Sequence, residues 1–120
     1  YGATLHVLYV VETRTGYDNA IVDPETVRAR LREEGERATA TVADEARDRG
    51  IDVVTAIEEG VPPDEILAYV AENDVDAVVM GAQGRSAFQT ALLGSTTESV
   101  LYETDVPVLV VGRPQRAVDA

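Results

Sequence analysis

Four short runs rich in β-branched residues recur along this chain, and helix-like stretches separate them. The runs are Thr4-Leu5-His6-Val7-Leu8-Tyr9-Val10-Val11, Ile51-Asp52-Val53-Val54-Thr55-Ala56-Ile57, Asp76-Ala77-Val78-Val79-Met80 and Pro107-Val108-Leu109-Val110-Val111. Near-continuous apolarity marks a strand covered on both faces, as in a parallel sheet. The second run alternates in part, which suits a sheet edge. Strands joined by helices run parallel, with right-handed crossovers. The chain therefore predicts an α/β fold in the order β-α-β-α-β-(glycine loop)-α-β.

The helices carry their own punctuation. Asp23-Pro24-Glu25 supplies an N-cap acid, a first-turn proline and a further acid, and the helix is expected to run to about Arg49. Val27, Leu31, Ala38, Val42 and Ala46 form its apolar stripe, Gly50 its stop, and Gly35 an interruption worth about 1 kcal/mol of propensity. Thr13 to Val22 reads as a loop. A second helix follows Gly60-Val61-Pro62-Pro63, from Asp64 to about Glu72, with Ile66, Leu67 and Val70 inward. A third starts at Ser95 or Thr96 and reaches about Glu103. Its 120 residues suffice for one domain, assigned to 1–112, with a polar tail over 113–120.

Charge narrows the function classes. The formal net charge is -12, and all ten basic residues are arginine. Nucleic-acid binding is disfavoured, because it needs a basic footprint. So acidic a surface suits simple solubility or, the favoured reading, a high-salt cytoplasm, where salt screens its self-repulsion within roughly 3 Å at 1 M. No apolar run approaches the roughly 20 residues of a membrane-spanning helix. The chain has no cysteine, which excludes disulfides and makes a cytoplasmic location the default expectation.

The chemistry is concentrated in one segment. Gly81-Ala82-Gln83-Gly84-Arg85 leaves the third strand, and Gly94-Ser95-Thr96-Thr97 opens the last helix. Glycine permits close backbone approach, and a helix start offers unpaired N–H groups to an anion. Ser95 and Thr97 hydroxyls are candidate further donors, and Arg85 is a candidate phosphate fork. A lone Gly-x2-Gly means little, but Gly-x2-Gly-x9-Gly followed by Ser or Thr should arise by chance in roughly one such chain in a few hundred. No lysine follows Gly94, so this is not a P-loop, and no Gly-x-Gly-x-x-Gly follows a strand. The residues alone leave open that these glycines serve only as turns.

Gly81-x2-Gly84-x9-Gly94-Ser95 resembles the ATP-binding signature of the universal stress protein family. Residues 2–11, 76–81 and 106–111 resemble that family's second, fourth and fifth strands, so the likeness covers nearly the whole chain. It implies a Rossmann-like open parallel sheet with helices on both faces, in the strand order 3-2-1-4-5. It implies ATP as ligand, with magnesium carried by the phosphates. Val10 and Met80 would flank the adenosine. Gly81, Gly84, Gly94, Ser95, Thr96 and Thr97 would hold ribose and phosphates largely through backbone groups, and Arg85 matches a basic position after the second glycine. It further implies a homodimer through the Pro107–Val111 strand.

The family's first strand, with its adenosine-contacting aspartate, and the helix after it have no counterpart here. That strand is central in the family order. Its loss would leave two half-sheets with unpaired inner edges, so the expectation is that the chain rearranges, exchanges strands with another chain or is a truncated piece, with adenosine binding weakened. His6 is expected to pack within the sheet, and Glu33-Glu34, Glu58-Glu59 and Asp74/Asp76 to be solvated. Phe88 and Leu92-Leu93 are candidates for a flap, a dimer contact or core filling. The favoured function is an ATP-binding stress-response module. The alternatives are a non-nucleotide interaction dimer and a weak ATP-hydrolysing or adenylyl-transferring enzyme, for which no positioned base or nucleophile is evident.

Overall fold

The computed structural model of the chain describes residues 2–12, 24–81 and 93–112. The chain divides into two compact units, Tyr1–Glu65 and Ile66–Ala120. In the first, β1 (Thr4–Glu12), α1 (Pro24–Asp48) and β2 (Asp52–Gly60) follow in order. β1 and β2 pair in parallel from Thr4 opposite Asp52 to Glu12 opposite Gly60, and α1 packs against both strands. β2 runs three residues beyond the expected Ile57. Glu58, Glu59 and Gly60 look polar in sequence, yet they continue the ladder opposite Val10, Val11 and Glu12.

The buried face of α1 departs from the expected stripe. Val27 and Leu31 are half-buried as expected, but Ala38 is exposed and Val42 is 45% exposed. Ala46 is buried as expected, and with it Gly35, Thr39 and Ala43 turn inward. They recur at helical spacing and are all small, so the helix lies close on the sheet. A Cβ on Gly35 would stand 2.5 Å from Cδ1 of Tyr9. Gly35 is thus the notch that receives the Tyr9 ring. The buried Thr39 hydroxyl is satisfied within the helix, donating to Gly35 O at 2.9 Å and approaching Glu36 O at 3.2 Å. Because strand side chains alternate, Leu5, Val7, Tyr9 and Val11 share the α1 side, and Val10 lies on the other face.

α1 ends at Gly50 as the sequence predicts. Gly50 has φ +76, Gly50 N donates to Arg47 O, and Ile51 N donates to Ala46 O, both at 3.0 Å. These are the two bonds of a Schellman stop with its left-handed residue at Gly50. α2 (Pro62–Glu72) begins two residues earlier than expected. Its two prolines fall in the first turn, where a missing N–H removes no helical bond. α2 closes in the same manner as α1, but Asp74 holds the left-handed position at φ 51 and Val75 N donates to Val70 O at 3.1 Å.

In the second unit, β3 (Val78–Gly81), α3 (Ser95–Glu103) and β4 (Val108–Val111) follow. β3 and β4 pair in parallel from Val78 opposite Val108 to Gly81 opposite Val111. Val78 N extends the pairing by donating to Pro107 O at 2.9 Å. The described residues thus form four strands in two two-stranded parallel sheets, β1-β2 and β3-β4. Among the described residues, no helix is long and apolar enough to cross a membrane.

Candidate functional site

The carboxyl end of β3 and the start of α3 come together. Gly81 is the last residue of β3, opposite Val111, and it is exposed. Gly94 is the N-cap of α3, with φ -67 and ψ 157 and no side-chain cap. Any residue adopts those angles, so what glycine contributes at 94 is the missing Cβ and the room it leaves. The first intrahelical bond runs from Glu98 N to Gly94 O at 3.0 Å. Helix geometry leaves the N–H groups of Ser95, Thr96 and Thr97 without intrahelical acceptors. They carry the positive end of the α3 dipole, equivalent to roughly half a charge. Glu98, exposed in that first turn, opposes an incoming anion in part.

Thr97 ties the two ends of the glycine segment together. Its hydroxyl donates to Gly81 O at 2.8 Å, across 16 residues of sequence. The side chain is only 4% exposed. A threonine hydroxyl has one proton, and this one is engaged by Gly81. In this structure the Thr97 hydroxyl is thus directed to Gly81 O, and the backbone N–H of Thr97 is what stands open at the helix start. Ser95 is exposed and Thr96 half-buried, so the Ser95 hydroxyl faces solvent at the helix start.

The other candidate residues divide between the units. Met80 lies in β3 opposite Val110 and is half-buried. Val10 lies in β1 opposite Glu58, in the first unit, and is also half-buried. Gly84 and Arg85 lie outside the described residues, as do Phe88 and Leu92. Leu93 is described and 40% exposed. His6 is half-buried in β1 opposite Val54. At the far end of the second unit, a groove of about 330 Å³ is rimmed by Asp74, Glu103 and Asp105, a setting that repels anions. Among the described residues no group of three or more His, Asp or Glu side chains could hold a metal ion.

One charged cluster was not foreseen. Glu59 accepts from Arg32 Nη1 at 3.0 Å and lies 3.5 Å from Arg28 Nε. The Arg28 Nε is buried without a well-formed hydrogen bond. Glu59 was expected to be solvated; its side chain is instead 31% exposed, with its carboxylate between two α1 arginines. The legible signal is the i, i+4 spacing of Arg28 and Arg32 beside Val27 and Leu31.

Comparison with known proteins bears on this arrangement. Residues 1–112 match the model of the universal stress protein family. The chain is similar to universal stress protein MJ0531 of Methanocaldococcus jannaschii, at 36% identity over 92 residues, covering 77% of this chain and 54% of the relative. It is also similar to universal stress protein MJ0577 of the same organism, at 34% identity over 87 residues, 72% of this chain and 54% of the relative. These matches span about half the length of each relative. The solved structure of MJ0577 superposes with a TM-score of 0.85 at 29% identity, covering 95% of this chain and 78% of that one. UspA from Lactobacillus plantarum shares the fold at a TM-score of 0.73 and 24% identity, over 92% of this chain and 78% of that one. The parallel strands and helices found here match the Rossmann-like α/β fold of these neighbours.

Proposed function

This chain belongs to the universal stress protein family, and from that premise we propose that it binds ATP at the junction of β3 and α3 and acts as a nucleotide-dependent regulatory module. The observation that carries the reading is the Thr97–Gly81 hydrogen bond, which holds an uncapped helix start against a glycine strand end. Phosphates would be held by the backbone N–H groups of Ser95, Thr96 and Thr97, with Gly81, Gly84 and Gly94 giving room for close approach and Arg85 adding a cation. Met80, beside Gly81 in β3, would flank the adenosine. A cytoplasmic, high-salt setting suits the charge. Calorimetric titration with ATP and magnesium tests the reading: saturable heat is expected at up to millimolar ATP, and Gly94→Val should abolish it by filling the room at the helix start. Absence of heat from the parent chain, or binding that survives Gly94→Val, overturns it.

A second reading has its own support. Val79, Leu109 and Val111 lie on one face of the β3-β4 sheet and are 67%, 63% and 51% exposed. Parallel sheets are ordinarily covered on both faces. A homodimer through the Pro107–Val111 strand, with or without nucleotide, would shelter that region. Sedimentation equilibrium at micromolar concentration should then show a dimer, and a monomer throughout would remove this reading while leaving the first intact.

A further inference from the structure

We infer that the Thr97 side chain is the positioning residue of the α3 anion site: it fixes the helix start to the end of β3 and is not itself a phosphate ligand. This deepens the nucleotide reading above and rests on it. Backbone N–H groups act as ligands only when their positions are held, because a misplacement near 1 Å costs on the order of a hundredfold in function. Two residues of α3 are buried, Thr97 and Val100, at 4% and 0% exposure. They are three apart and share a face of the helix. Val100 makes apolar contact, which is not directional. Thr97 makes a hydrogen bond, which is, at 2.8 Å to Gly81 O. Among the described residues no other side-chain hydrogen bond joins α3 to β3. Gly94 adds no side chain at the cap. The register of the Ser95, Thr96 and Thr97 N–H groups against Gly81 is therefore set by one hydroxyl. The only hydroxyl proton of Thr97 is already engaged, which leaves Ser95 as the exposed hydroxyl at the helix start.

The test compares three variants of the full chain by calorimetric titration with ATP and magnesium, each first checked for folding by circular dichroism. Thr97→Val keeps the shape and removes the proton, and should weaken ATP binding about tenfold, the upper range of one neutral hydrogen bond. Thr97→Ser keeps the hydroxyl and should restore affinity to near the parent value. Val100→Ala loosens the same helix without touching the hydrogen bond; it should lower the melting midpoint more than Thr97→Val and change affinity less. Parent-like affinity in Thr97→Val overturns the inference and leaves the nucleotide reading standing. So does a Thr97→Ser variant as weak as Thr97→Val, or a Val100→Ala variant that loses as much affinity. A parent chain that does not bind ATP overturns both.

Discussion

Gly35→Ala should destabilise this protein, although the same change stabilises most helices. In an exposed helix interior, alanine is favoured over glycine by about 1 kcal/mol. Here the added Cβ would meet Tyr9 Cδ1 at 2.5 Å, Cγ at 2.8 Å and Cε1 at 3.0 Å. Ordinary carbon contacts lie near 3.5–4.0 Å, so the ring or the helix must shift by about 1 Å. The ring cannot yield at its tip, because Cγ, beside the backbone, is one of the atoms struck. Overpacking of this kind costs roughly 1–3 kcal/mol, which exceeds the propensity gain and leaves a net loss of about 1 kcal/mol. Urea denaturation of four proteins measures it: the parent, Gly35→Ala, Tyr9→Ala, and the double variant. Gly35→Ala should lower the midpoint in the parent and raise it in the Tyr9→Ala background, where only propensity remains. The same sign in both backgrounds would refute the notch.

Three further outcomes follow from the same structure. Asp74→Gly should raise stability by about 0.5–1 kcal/mol, because Asp74 holds the left-handed stop of α2 at φ 51 where glycine sits without strain; a lowered denaturation midpoint would contradict this. Glu59→Gln should cost about 0.5–1 kcal/mol at low salt by releasing Arg28 and Arg32, and the loss should shrink at 1 M salt, where the screening length is about 3 Å; a loss independent of salt would point to packing instead. Raising potassium chloride from 0.1 to 2 M should raise the melting midpoint of a chain carrying a net charge of -12, and should leave ATP affinity undiminished; a falling midpoint or a steep loss of affinity contradicts the electrostatic reading.

What could be read in the sequence was whatever has a local cause. Gly50 announces the end of α1 because its left-handed angle is one that glycine adopts freely. The end of α2 was read at Glu72, where it lies, but the left-handed residue beyond it, Asp74, was not singled out because aspartate adopts that angle less freely than glycine. β2 was read too short because Glu58 and Glu59 look like turn residues until Arg28 and Arg32 are seen to hold Glu59. The face of α1 was misread at Ala38 and Val42, which an apolar count favours, and read correctly at Ala46. The fold buries small residues there, and Thr39 satisfies its hydroxyl within the helix. The glycine spacing from 81 to 94 was legible; the hydrogen bond that joins its two ends was not, because a bond across 16 residues leaves no periodic trace.

An acidic chain that holds an anion faces two electrostatic terms of different range. The net charge of -12 repels a nucleotide over distances of many ångström, and salt removes most of that repulsion beyond a Debye length, about 8 Å at physiological ionic strength. The attraction proposed at α3 would come from N–H groups in direct contact, well inside that screening length, so salt would weaken it less. A site built on lysines and arginines behaves in the opposite way, since its long-range attraction is what salt removes. Placing the ligand contacts on backbone N–H groups thus lets the surface stay acidic, and it makes their placement the critical variable. A flexible lysine can follow a phosphate that sits 1 Å away; a helix start cannot. For that reason the buried Thr97–Gly81 hydrogen bond carries more of the functional argument here than any charged side chain described in the structure.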